Sequence, residues 1–144
     1  MHPEGLAAIG PLGLAAISAR GWAASSIGGL TLGADPVSYA IAYASQLAGT
    51  PVRAFTVRKE AKSHGTGKVI EGAFESGDFV VVVEDVITTG GSALRAVDAV
   101  RAAGATVLGV LAVVDREEGG REAIEAQGLA VAALVTAAEI VARM

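Results

Sequence analysis

Apolar residues in this chain come in short unbroken runs rather than in alternation with polar ones. The runs lie at about residues 23–28, 52–57, 79–83, 107–114 and 129–135, separated by Gly, Pro and charged residues. Runs this short and this apolar predict strands buried on both sides, as in a parallel sheet covered by helices. The stretches between them carry a helical period. Over residues 93–103, Leu94, Val97 and Val100 share one face while Arg95, Asp98 and Arg101 share the other, and Gly104 follows as a left-handed C′ residue would. Alternating strands and helices imply right-handed crossovers and an α/β fold. The expectation is a central parallel sheet of about five strands flanked by helices, in one domain spanning residues 1–144 without linker or repeat.

Composition narrows the function. The chain has 144 residues, 52% hydrophobic and only 4% aromatic, enough to bury a core of small side chains. A net charge of −4 argues against general nucleic-acid binding. No apolar stretch is as long as a membrane span, and Met1, His2, Pro3 and Glu4 form no basic signal-peptide region. The absence of cysteine excludes disulfides, thiolate catalysis and cysteine-based zinc, and is compatible with a reducing cytoplasm. Trp22, Tyr39 and Tyr43 read as core or interface residues rather than a base-stacking platform.

Residues 79–92 carry the clearest chemistry. A wholly apolar run ends in two acids, Glu84 and Asp85, and then Thr88, Thr89, Gly90, Gly91 and Ser92 lead into a helix from about Ala93. In open α/β sheets ligands bind at the carboxyl ends of strands. The turn offers N–H groups without bulky side chains, hydroxyl donors and the positive end of a helix dipole, which together suit a phosphate. Two acids beside an apolar strand need a polar or cationic partner, which sugar hydroxyls or magnesium would supply. Neither a Walker loop nor a dinucleotide fingerprint is present, so a phosphorylated sugar fits better than a nucleoside triphosphate.

Two further segments have chemical potential. Arg58, Lys59, Glu60, Ala61, Lys62, Ser63, His64 and Gly65 gather cationic and titratable groups in one loop. Such groups stabilise a departing polyanion, and His64 is of a residue type that can carry a proton near neutral pH; a plain solvated loop is the alternative. Gly28 to Gly33 is compatible both with an ordinary turn and with a ligand loop, and Asp35 with Pro36 reads as a helix start carrying a cap. Arg116, after the 107–114 run, is either a surface charge or a fork for a carboxylate.

The acidic pair followed by Val86, Ile87, Thr88, Thr89, Gly90, Gly91 and Ser92 resembles the phosphoribosyl pyrophosphate motif of type I phosphoribosyltransferases. The Arg-Lys-Glu-Ala-Lys-Ser-His-Gly string, with Glu71 and Gly72 after it, resembles the catalytic loop of the orotate phosphoribosyltransferases. This resemblance implies the type I phosphoribosyltransferase fold. It implies that Glu84 and Asp85 hold the ribose hydroxyls, with Asp85 also counted as catalytic, and that Val86 to Ser92 surround the 5-phosphate. Arg58, Lys59, Lys62 and His64 would contact pyrophosphate, with Lys62 and His64 catalytic. The 58–72 loop would act across the interface of a homodimer. Leu30, Thr31, Leu32 and Gly33 resemble the family's pyrophosphate loop, although many members carry a lysine near Leu32 and this chain has none. Backbone N–H groups would then do the binding there, with an unusual peptide geometry as the family often shows. Asp115 and Arg116 match the family's Asp-Arg, so Arg116, together with Thr88, would hold orotate. Magnesium would be held mainly by the substrate, with no firm protein ligand. The chain would act in the cytoplasm on phosphoribosyl pyrophosphate and orotate, without nucleic acid or membrane.

One departure from the family pattern is that the N-terminal hood over the base is expected to be absent or incomplete, since family members usually have a few dozen residues before the His-Pro-Glu seen here. Two other activities are compatible with the residues: transfer to a different base, and a non-catalytic regulator that binds phosphoribosyl pyrophosphate.

Overall fold

A computed structural model describes residues 1–61 and 68–144. In chain order the elements are α1 (Pro3–Ala19), β1 (Ser26–Leu30), α2 (Ala34–Leu47), β2 (Arg53–Val57), β3 (Ile70–Gly72), β4 (Phe79–Ile87), α3 (Gly91–Ala102), β5 (Thr106–Asp115), α4 (Gly120–Glu125), β6 (Val131–Thr136) and α5 (Ala137–Ala142). The strands form one sheet in the order β3-β2-β1-β4-β5-β6. All neighbours are parallel except β3, which pairs antiparallel to β2. The expected five parallel strands are present, joined by a sixth at the edge. That short edge strand, Ile70-Glu71-Gly72, is too brief to show any period.

The chain builds outward from β1 in one direction and from β4 in the other, so the strand order reverses between them. Such a switch point leaves a crevice at the carboxyl ends of the two strands. Ladder pairing of β1 with β4 runs only from Ser26 and Val80 to Gly28 and Val82. Beyond it lie the β1–α2 and β4–α3 turns, which hold the candidate chemistry.

The sheet is buried on both faces, as the unbroken apolar runs require. Val80 and Val82 join Phe55, Val97, Val100, Val110 and Val131 on the α3 side. Val81 and Val83 join Ile17, Ile27, Val37, Ile41 and Leu111 beneath α1 and α2. Each such side chain contributes about 1.5–3 kcal/mol of transfer free energy. The predicted faces of α3 are as expected: Val97 and Val100 are buried, while Arg95 and Asp98 are exposed. Gly104 has φ +95°, and the N–H of Ala105 returns to Val100 O at 3.0 Å, closing a Schellman end.

Several boundaries differ from expectation. β1 covers residues 26–30 rather than 23–28, taking in Gly28 and Gly29 as strand residues. A Cβ on Gly29 would lie 2.1 Å from Val83 O, so the strand approach itself requires glycine. β4 continues to Ile87, so Glu84 and Asp85 lie inside the strand rather than beyond it. Gly33, not Asp35, stands at the N-cap of α2. Trp22 is half-buried, packed where Gly109 leaves room for its ring. Tyr39 and Tyr43 are exposed on α2 and so are not core residues.

Candidate active site

Strand alternation sends the two neighbouring acids to opposite faces. Glu84 follows the parity of Val80 and Val82 and lines a small cavity, about 50 Å³, with residues 86–93 of the β4–α3 turn. Asp85 follows Val81 and Val83 to the other face, where its carboxylate lies 2.7 Å from the position a Cβ would take on Gly33. The acid pair therefore bridges the two turns, one carboxylate at each.

Glu84 is buried, with 5% of its surface exposed, and its Oε1 has no partner among the described residues. Burial, aided by the nearby charge of Asp85, pushes its carboxyl up to about 7. A buried, unpaired carboxyl oxygen is costly and therefore informative. Asp85 is half-buried and accepts the N–H of Val86 at 2.8 Å.

The turn beside Glu84 is built for an anion. Gly90 is the N-cap of α3 with φ +91°, a left-handed conformation that favours glycine. Among the described residues no side chain caps this end, and no acid occupies the first helical turn. Gly91, Ser92 and Ala93 thus present N–H groups that the helix itself does not use. A helix dipole is worth about 0.3–2 kcal/mol, and each bond to a charged acceptor about 1.5–3 kcal/mol, so the turn's donors dominate any grip on a phosphate. The helix starts at Gly91, two residues before the expected Ala93, which draws Gly91 and Ser92 into that first turn.

Across the crevice, Leu30 ends β1 and Thr31, Leu32 and Gly33 form the β1–α2 turn, with a cis peptide between Thr31 and Leu32. Thr31 N–H donates to Val57 O at 2.8 Å. Asp35 does not cap the helix as its position suggested. Its Oδ2 accepts from Thr31 Oγ1 at 2.7 Å and its Oδ1 from Thr56 Oγ1 at 3.0 Å. Thr31 lies outside the helix, so its spacing from Asp35 gave no signal for this contact, and Thr56 carried none.

Arg116 lies in the β5–α4 loop, exposed, with its guanidinium 3.1 Å from Glu118 Oε1. Its backbone is anchored: Arg116 N–H donates to Ile87 O at 3.0 Å, immediately before Thr88. Gly120, the first residue of α4, packs so tightly that a Cβ there would meet Thr88 O at 2.5 Å. Arg116 and the β4–α3 turn are therefore one mechanical unit. Buried Asp115 supports the loop by accepting from Glu117 N–H and Arg121 Nε.

The basic segment leaves β2 at Arg58 and returns at Val69, with Arg58 N–H donating to Val69 O at 2.7 Å. Arg58 lies 4.0 Å from Glu71, and Arg95 on α3 donates to Lys59 O at 2.7 Å, a tie that helix periodicity alone did not suggest. Lys62 and His64 lie outside the described residues. Among the described residues no group of three or more His, Asp or Glu side chains forms a metal cage. Glu84 and Asp85 offer hard carboxylate oxygens at this end. No helix among the described residues is long and apolar enough to cross a membrane.

The phosphoribosyl transferase domain family matches residues 35–127, more than half of the chain. The chain belongs to this family. Among similar members, the orotate phosphoribosyltransferase of Aquifex aeolicus (strain VF5) is 55% identical over 113 residues, covering 78% of this chain and 62% of the relative. That of Mycobacterium avium (strain 104) is 59% identical over 103 residues, covering 72% of this chain and 56% of the relative. The chain thus spans about three-fifths of the length of these relatives. The crystal structure of Mycobacterium tuberculosis H37Rv orotate phosphoribosyltransferase with 5-phospho-alpha-D-ribosyl 1-diphosphate superposes with a TM-score of 0.86. It is 46% identical, covering 96% of this chain and 76% of that one. The β4–α3 turn, the acid pair and the β1–α2 turn all lie at the switch point of the sheet, with Asp85 of the pair against Gly33.

Proposed function

We propose that this chain carries out orotate phosphoribosyl transfer, moving the 5-phosphoribosyl group of phosphoribosyl pyrophosphate to orotate to give orotidine 5′-phosphate and pyrophosphate. The observation that carries the reading is the buried Glu84 oxygen, unpaired among the described residues, beside an acid-free helix N-terminus that none of their side chains caps. That pairing suits a ligand with sugar hydroxyls next to a phosphate. In this reading residues 88–92 hold the 5-phosphate, and Glu84 and Asp85 take the ribose hydroxyls. Leu30 to Gly33 offer backbone N–H groups to the pyrophosphate, and Arg116 with Thr88 takes the orotate carboxylate end.

Catalysis follows from position and charge. Holding C1 of the ribose between base nitrogen and departing pyrophosphate makes the displacement effectively unimolecular. Charge gathers on the pyrophosphate as C1 becomes oxocarbenium-like, and Arg58, Lys59, Lys62 and His64 are the groups of this chain suited to meet it. Magnesium fits the hard oxygens of Glu84 and Asp85, though these diverge, so substrate oxygens would supply most of its ligands. When bound it would neutralise charge on the pyrophosphate.

The base is assigned from the loop string, from Arg116 and from the identity of the similar enzymes. A homodimer, with the 58–72 loop reaching the neighbouring site, belongs to the same reading. It is supported by the exposed apolar side chains of Leu12, Tyr39, Tyr43 and Leu47 on α1 and α2. Residues 1–144 would act as one domain in the cytoplasm.

The test is the loss of orotate absorbance on adding phosphoribosyl pyrophosphate and magnesium, with uracil and xanthine as competing bases. Consumption of orotate alone is expected. Tight binding of phosphoribosyl pyrophosphate without consumption of any base would overturn the catalytic reading.

A further inference from the structure

We propose that Asp35 is a positioning residue for the β1–α2 turn, holding it through Thr31 in the arrangement that receives the pyrophosphate half of the substrate; this rests on the phosphoribosyl pyrophosphate reading above. The hydrogen bonds have a determined direction. Thr56 has a single hydroxyl proton, and an ionised carboxylate only accepts, so that proton goes to Asp35 Oδ1 at 3.0 Å. Tyr39 must then be the donor in its 2.8 Å contact with Thr56 Oγ1. Thr31 donates to the other carboxylate oxygen at 2.7 Å. A directed chain runs from Tyr39 on α2 through Thr56 on β2 to Asp35, and meets Thr31 in the turn from the opposite side.

Each oxygen of Asp35 is already engaged by a hydroxyl of the protein, through charge-assisted bonds that are stronger than neutral ones. The turn is pinned elsewhere too, by Thr31 N–H to Val57 O and by the Asp85 carboxylate against Gly33. Leu32 between them is 78% exposed.

This bracing matters because residues 30–33 contain no basic side chain. A lysine on a flexible stem adjusts itself to an anion, whereas a backbone N–H points where its turn points. A turn that binds through its backbone therefore depends on whatever fixes its geometry, and Asp35 is the charged group hydrogen-bonded to a side chain of the turn.

The test compares ligands with and without the pyrophosphate. Dissociation constants for phosphoribosyl pyrophosphate and for ribose 5-phosphate, both with magnesium, are measured on the full chain and on Thr31→Val, Thr31→Ser and Asp35→Asn. Thr31→Val and Asp35→Asn are expected to weaken phosphoribosyl pyrophosphate by about tenfold, with ribose 5-phosphate within about twofold of the unaltered chain. Thr31→Ser keeps the hydroxyl and should bind as the unaltered chain does. The double variant Thr31→Val with Asp35→Asn should weaken binding little beyond Thr31→Val alone, because Asp35 acts on the turn through the Thr31 hydroxyl. Thr31→Val alters one hydroxyl without changing the shape of the side chain, so it keeps the test open if Asp35→Asn proves unstable. Equal weakening of both ligands, no weakening, or simple additivity would overturn the positioning role. If the unaltered chain binds phosphoribosyl pyrophosphate no better than ribose 5-phosphate, the substrate reading falls and takes this role with it.

Discussion

Two buried carboxylates mark the two ends of β4, and they live in opposite conditions. Asp78, just before the strand, is 6% exposed and accepts from Arg53, Ser25, Ser26 and the N–H of Glu75. Glu84, near the other end, is 5% exposed and leaves Oε1 without a partner among the described residues. Burial pushes both carboxyls up, but at Asp78 the Arg53 guanidinium and the surrounding donors outweigh it and hold the group below its ordinary value. At Glu84 burial prevails, reinforced by Asp85, and the carboxyl rises to about 7. Equal burial with opposite shifts separates a completed structural joint from a site that a ligand would complete.

The largest expected effect breaks the joint. Asp78→Ala leaves Arg53 and two serines without their shared acceptor and should cost about 3 kcal/mol of stability in urea unfolding at neutral pH. A loss under about 1 kcal/mol would mean that Asp78 matters no more to the fold than an exposed ion pair.

Glu84 should respond with the opposite sign. A folded-state value raised from 4.5 to about 7 means that the native state binds the proton more tightly than the unfolded chain does. The stability this contributes is fully present below pH 4.5 and lost as pH rises through about 7. Glu84→Gln stays neutral throughout, so at pH 8 it should exceed the unaltered chain by about 1–3 kcal/mol, while the difference narrows towards pH 4. Binding of ribose 5-phosphate should weaken in the same variant. Parallel pH profiles for the two proteins would remove the case for a strained carboxyl at this end of β4. For Asp78 the slope is reversed: its lowered value contributes stability above the ordinary carboxylate range and loses it as pH falls.

The contrast between these acids was only half legible in the sequence. Unbroken apolar runs announced a sheet buried on both faces, because a residue with no polar neighbour in a strand has no wet side to face. The Glu84 to Ser92 stretch was legible for a related reason, since its acids, glycines and hydroxyls serve no purpose in a buried core. Three features were hidden. β3 is three residues long and makes its claim through pairing with β2, which no local pattern encodes. The bracing of Thr31 depends on Thr56, far away in the chain, and Asp35 looked like a helix cap because caps and buried acceptors use the same residue type. Asp78 gave no sign at all, because its partners Ser25, Ser26 and Arg53 come from β1, β2 and the segment before β1.

The smallest expected effect sharpens the comparison at the ligand end. Ser92 is exposed in the first turn of α3, and its hydroxyl makes no hydrogen bond to protein among the described residues. Alanine is the better helix former by a few tenths of a kcal/mol, so Ser92→Ala should leave stability unchanged or slightly raised. If the hydroxyl serves a phosphate, its loss should weaken ribose 5-phosphate binding by about three- to tenfold, the worth of one hydrogen bond. Stability and affinity would then move in opposite directions, the signature of a side chain kept for a ligand. The same variant with affinity intact would confine the phosphate grip to the backbone N–H groups of Gly91 to Ala93 and to Thr88 and Thr89, because these are the donors that remain in the turn.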